Sequence, residues 1–163
     1  MKHTMITIAL LATSLFMGAC SDKTLQVTNQ QLPQIQQKNK PVILLFSLQN
    51  YTDTPRAGKR AANIVEGVLS AKGYNVFYHS QALSLEKERM IAKNKNADYF
   101  MSGAVSEWRY KTGIDGEPAV SLRIALYDVK NGKLVWSGVG ANNDWGKGSI
   151  GTTAQSLIEE MFN

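Results

Sequence analysis

Few side chains in this 163-residue sequence have the type and spacing to make or break bonds. It holds two histidines and one cysteine. His79 closes an apolar run, and a histidine acting as general base needs an orienting acid and a nucleophile within reach. No local motif supplies either, so a strand-end imidazole with a structural part is expected. Asp115 and Glu117 flank Gly116 in IDGEPAV. Paired carboxylates can act as general acid and base, but two acids on a glycine turn read as solvated side chains rather than such a couple. No G-x-S-x-G, H-E-x-x-H, P-loop or G-x-G-x-x-G pattern occurs. A single cysteine excludes an intramolecular disulfide and a zinc site built on several cysteines. No catalytic centre, no metal site and no dissociable cofactor is expected.

Cys20 carries chemistry of another kind. Lys2 precedes a mainly apolar run from Met5 to Met17. As a helix this run spans roughly 20 Å, short of the ~30 Å hydrocarbon core, so it reads as a removable signal rather than a membrane span. Met17-Gly18-Ala19-Cys20 resembles the bacterial lipobox, in which small residues precede a cysteine that is diacylated and becomes the new N-terminus. The Cys20 sulfur would then be a thioether bearing diacylglycerol, with an N-acyl chain on the new amine. It would be neither nucleophile nor redox sensor. Several acyl chains give stable anchoring where one is marginal. Ser21 after the cysteine implies sorting to the outer membrane, on its periplasmic face.

The net charge of +5 would admit an anionic partner, but no helix carries a basic stripe with interleaved aromatics, and no nucleic acid is expected in that compartment. Trp145 stands among polar residues in NNDWGKGS, a setting for a loop tip. With Lys147 beside it, the ring suits the headgroup level of a bilayer, and a Trp folded back on its own sheet is the alternative.

These positions need a scaffold. Residues 1–19 read as signal peptide and 20–40 as lipidated Cys and flexible, Gln-rich tether, spanning roughly 25 Å. Leu25, Val27, Leu32 and Ile35 offer an alternative, docking on the domain or a neighbour. Residues 41–163 read as one periplasmic α/β domain. PVILLFS suits a buried strand, LQNYTDTP a polar loop, and RAGKRAANIVEGVLSAKG a helix. YNVFYH is a strand, and LSLEKERMIAKNKN a helix with Ser84 as N-cap and Glu86 and Glu88 in its first turn. ADYFMSGAVSEWRYK, AVSLRIALYDVK and KLVWSGVGA are strands, with Trp108 and Trp136 as core or subunit contacts. Val120, Leu122, Ile124 and Leu126 alternate with Ser121, Arg123, Ala125 and Tyr127, so one face is buried. Asn131-Gly132 predicts a type I′ hairpin turn. GSIGTTAQSLIEEMF is a final helix. The fold class is α/β (α+β), one mixed sheet in the order β-α-β-α-β-β-β-α. Its C-terminal strands form an antiparallel meander covered by helices.

The lipobox, the NYTDTPRAG loop at 50–58, and above all EWRYKTGIDGEPAV within residues 106–149 resemble the PelC lipoproteins of Pel exopolysaccharide export in Gram-negative biofilm formers. The resemblance covers residues 41–162. It implies a closed homo-oligomeric ring beneath the outer membrane, associated with the outer-membrane channel PelB. It also implies that the ring guides Pel, a partly de-N-acetylated and therefore cationic polymer. The family pattern has a membrane-facing Trp belt, matched here by Trp145, and an acidic funnel facing the periplasm. Asp115 is the candidate for the acidic ring, with Glu117 second. One exposed carboxylate is screened within roughly 8–10 Å, whereas repeating it around a closed ring focuses the field. A basic chain fits this role only where acids gather in the lumen while Lys and Arg face membrane or neighbours. The alternative is a lipoprotein that activates an envelope enzyme, for which a tether of about 20 residues is short. A small-molecule binding module is a third reading, without a pocket motif.

Overall fold

The computed structural model describes residues 23–28, 32, 40–112, 116–144 and 148–163. The first surprise lies in the expected tether. Lys23–Val27 forms a strand, β1, whose alternating burial follows the period of two. Leu25 and Val27 point at the core, and Leu32 packs against it as well. The flexible-tether expectation is corrected for this stretch, and docking on the domain is what occurs. The reason is an open sheet edge: β1 hydrogen-bonds antiparallel to the last strand, from Lys23 opposite Asn142 to Val27 opposite Gly138.

The other elements follow the order expected from periodicity. They are β2 (Val42–Phe46), a two-residue β3 (Gln49–Asn50), α1 (Ala57–Ala71), β4 (Asn75–His79), α2 (Leu85–Asn94), β5 (Tyr99–Tyr110), β6 (Pro118–Asp128), β7 (Leu134–Asn143) and α3 (Ile150–Met161). β3 is a second departure, since it falls in the segment expected as a polar loop and pairs parallel with β5. Seven strands make one mixed sheet in the order β1-β7-β6-β5-β2-β4, with β3 beside β5. β2 runs parallel to both β4 and β5, while β5, β6, β7 and β1 are antiparallel.

α1 and α3 cover one face and α2 part of the other. β2 is apolar at every position because it is covered twice: Ile43 and Leu45 join the α1/α3 core, Leu44 and Phe46 the α2 core. Val120, Leu122, Ile124 and Leu126 are all buried on the α1/α3 face, as their alternation predicts, each contributing roughly 1.5–3 kcal/mol. Trp108 and Trp136 are core residues, and the Trp136 indole lies 4.9 Å from the Phe162 ring. α3 approaches β7 closely because Gly140 has no side chain. A Cβ there would come within 2.9 Å of Leu157 Cδ1 and 3.0 Å of the Thr24 carbonyl oxygen.

The Asn131-Gly132 link is not a type I′ turn. Only Gly132 of its residues takes the left-handed conformation, at φ 72°. Gly132 N donates to the Asp128 carbonyl (2.8 Å) and Asn131 N to Asp128 Oδ1 (3.0 Å), which makes a longer connection from Val129 to Lys133. Arg89 of α2 fastens it by donating to the Val129 and Lys130 carbonyls at 2.9 and 2.6 Å. That contact lies across more than thirty positions of sequence, so local turn chemistry does not contain it.

Candidate functional site

Antiparallel pairing gathers three chain segments at one end of the sheet. β1 begins at Lys23 opposite Asn142, β5 ends at Tyr110 opposite Pro118, and Ala119 sits opposite Asn143. Adjacent strands lie about 4.8 Å apart. The start of β1, the flanks of the β5–β6 connection and the exit of β7 therefore share one edge of the molecule. Asp144 N donates to the Pro118 carbonyl at 3.2 Å, tying two of them directly.

The base of the β7–α3 loop is closed from both sides. A Cβ at Gly148 would run into the Asp144 carboxylate, so a larger residue there would make that side chain move. Ser149 then caps α3: its Oγ accepts from Thr152 N (3.2 Å), and Thr152 Oγ1 accepts from Ser149 N (2.9 Å), a reciprocal box. Trp145 and Lys147, the expected membrane-interface pair, are in the part of this loop outside the described residues, as are Asp115 and Cys20.

Glu117 is described, and it corrects an expectation. It is only 8% exposed rather than solvated. Its Oε2 lies 3.9 Å from Lys111 Nζ across the turn, and its carbonyl accepts from Lys111 N at 2.7 Å. A buried carboxylate beside its own lysine is a latch for the β5–β6 connection.

Beside this end lies a polar groove of about 400 Å³, between residues 51–54 and the upper parts of β5 and β6. The Asn50 side chain builds the loop, accepting from Thr52 N (3.1 Å) and Thr52 Oγ1 (2.8 Å) and donating to the Thr54 carbonyl (2.9 Å). Tyr51 N donates to the Val105 carbonyl (2.9 Å) and Thr54 Oγ1 to the Trp108 carbonyl (2.5 Å). Arg56 takes a left-handed φ of 63° before α1 opens, a strained value for a side-chain-bearing residue. Opposite, the β5–β6 register slips between Val105 and Glu107. Such a bulge re-aims side chains. Ser106 Oγ donates to Ser121 Oγ at 3.0 Å, and Glu107 pairs with Arg109 at 2.9 Å.

His79 is a strand-end imidazole, its ring 4.9 Å from Phe46. Glu88 was placed by sequence in the first turn of α2, where it is found, but its burial was not foreseen; it is 1% exposed. Burial pushes its carboxyl above the ordinary glutamate range. Oε1 accepts from Leu83 N at 3.2 Å, and Gln49 Nε2 holds the Leu83 carbonyl at 3.1 Å. Among the described residues no cluster of His, Cys, Asp and Glu could hold a metal, and no helix is long and apolar enough to cross a membrane. Tyr51 was passed over in the sequence although its signal, an aromatic among polar turn residues, is the one that singled out Trp145.

No family model matches the chain, and no curated protein matches it significantly. Solved structures do match. A PelC dodecamer from Paraburkholderia phytofirmans is 36% identical with TM-score 0.75, the match covering 86% of this chain and 95% of that one. A single-substitution variant of that dodecamer gives the same values. A lipoprotein from Neisseria meningitidis is 18% identical with TM-score 0.58 over 74% of this chain and 97% of that one, a likeness of fold alone.

Proposed function

The chain belongs to the PelC family, and on that premise we propose that it is a non-catalytic envelope lipoprotein of Pel exopolysaccharide export. It forms a homo-oligomeric ring on the periplasmic face of the outer membrane. The ring guides the cationic polymer toward its channel partner, PelB. The observation that carries this reading is the 36% identity to a dodecameric PelC across 95% of that chain.

The anchor geometry supports it. With Lys23 already in the sheet, only Ser21 and Asp22 separate it from Cys20. Fully extended, those three steps reach at most about 11 Å. A lipid on Cys20 therefore holds the sheet end that carries the β7–α3 loop close to the bilayer. Trp145 and Lys147 then act as a second attachment at headgroup level. Repetition around the ring turns the lipid and the Trp145/Lys147 contact of each copy into one collective attachment. So short a leash suits an assembly seated on the membrane and disfavours an activator reaching inward.

The flanks of the Asp115 turn end on the same side of the sheet. Asp115 is the first candidate for the acidic ring and Glu117, buried beside Lys111, the second. Light scattering or native mass measurement of the detergent-solubilised protein tests the assembly: a closed oligomer is expected, and a monomer would overturn the reading. Asp115→Asn should lower polymer export while leaving the oligomer mass unchanged. Unaltered export would remove Asp115 from the mechanism.

A further inference from the structure

We infer that the groove between Tyr51 and the β5 bulge is a binding subsite for a positively charged amino-sugar unit. The inference deepens the export reading and rests on it for the source of the sugar. The groove, with its volume of about 400 Å³, falls in the range of small-ligand sites, and its chemistry is uneven. Tyr51 is 69% exposed, the most exposed of the large hydrophobics among the described residues. Its ring offers an apolar face with a polar hydroxyl tip to whatever enters the groove. This ring is held at its base by the Tyr51 N to Val105 bond and the Asn50 side-chain bonds on its own loop, so presenting it to a ligand requires little ordering.

Asp53 is exposed beside it, and Glu107 supplies a second carboxylate whose charge Arg109 offsets in part. Ser106 and Ser121 add paired hydroxyls on the opposite wall. An aromatic platform, an uncompensated carboxylate and hydroxyls match a pyranose bearing an ammonium group. The sugar's C–H face packs on the ring, the ammonium meets Asp53 or the Tyr51 π-face, and its hydroxyls meet the serines. A neutral N-acetylated sugar keeps the stacking and loses the charge. β3 carries the pairing along β5 as far as Asn50, and the groove lies just beyond it, beside the β5 bulge between Val105 and Glu107.

The test uses the purified full-length oligomer, titrated calorimetrically with fully deacetylated chitosan hexamer and with its N-acetylated counterpart. The deacetylated oligomer should bind more tightly, and the preference should shrink as salt rises. Tyr51→Ala should weaken it about two- to fivefold, with Tyr51→Phe restoring it, because the ring and not the hydroxyl is required. Asp53→Asn should reduce the preference for the charged form, leaving what Glu107 and the Tyr51 ring supply. Equal binding of both sugars, no binding, or wild-type affinity in Tyr51→Ala and Asp53→Asn would each overturn the subsite. So would break-up of the oligomer by Tyr51→Ala, which would make the groove a subunit contact. The export reading is judged separately by wild-type oligomer mass and by export, so it can stand when the subsite falls.

Discussion

The two faces of the sheet are built on different terms. The face under α1 and α3 is packed with large apolar groups: Leu122, Ile124 and Leu126 from β6, Trp108 from β5, Trp136 from β7, and Leu157 and Ile158 from α3. The other face is sheltered by α2 only over β2 and the start of β5, where Leu44, Phe46, Ala92 and Phe100 meet. Beyond α2 it runs open. One cross-strand row there reads Ala104, Arg123, Val139 and Gln26, and Val139 is 47% exposed. The fold of the protomer thus depends on one face, whereas the other is available for recognition. The Tyr51 groove opens on that second side, where Ser106 and Ser121 project.

Substitutions on each face test this contrast. The largest effect is expected from Trp136→Ala, which empties a buried site against Phe162 and α3. It should cost about 3–5 kcal/mol in urea unfolding. A midpoint within error of wild type would mean that the helix-covered face is not where stability resides.

Glu88 tests the boundary where α2 covers the second face. Its folded-state pKa is raised by burial, so the folded protein holds the proton over a window in which the unfolded chain has released it. Stability from the neutral acid is complete below the ordinary value of 4.5 and falls as pH rises above it. Glu88→Gln keeps an acceptor for Leu83 N and cannot ionise. Its melting temperature should match wild type near pH 4 and exceed it at pH 7 by about 2–4 °C, the equivalent of roughly 1 kcal/mol. A constant difference across that range would show that ionisation is not the cause.

The smallest effect belongs to Val139→Thr on the open face, expected within about 0.5 kcal/mol by the same urea measurement. A loss comparable to that of Trp136→Ala would erase the distinction between the faces.

Much of the fold was legible because it is written locally. β6 alternates, β2 is uniformly apolar, α2 starts after Ser84, and Trp108 and Trp136 sit in strand patterns. The misreadings share one cause. KTLQV looks like tether because its strand state depends on the free edge of β7, over a hundred positions away. Asn131-Gly132 has the dipeptide of a tight hairpin, but the Asp128 backbone and side-chain bonds and Arg89 select a longer connection. Glu88 and Glu117 look solvated, and the burial of each is set by what packs over it.

The amino-acid order alone was enough for every element but β1 and β3, for the lack of any recognisable catalytic motif, and for the family resemblance that the 36% identity supports. These depend on residue types and short periods along one chain. The pairing of β1 with β7, the burial of Glu117 beside Lys111, and the placement of Tyr51 across a groove from the Ser106 and Ser121 hydroxyls came from the three-dimensional arrangement. Each of these depends on which strand lies beside which, and strand partnership is fixed by burial and hydrogen bonding between segments far apart in the chain.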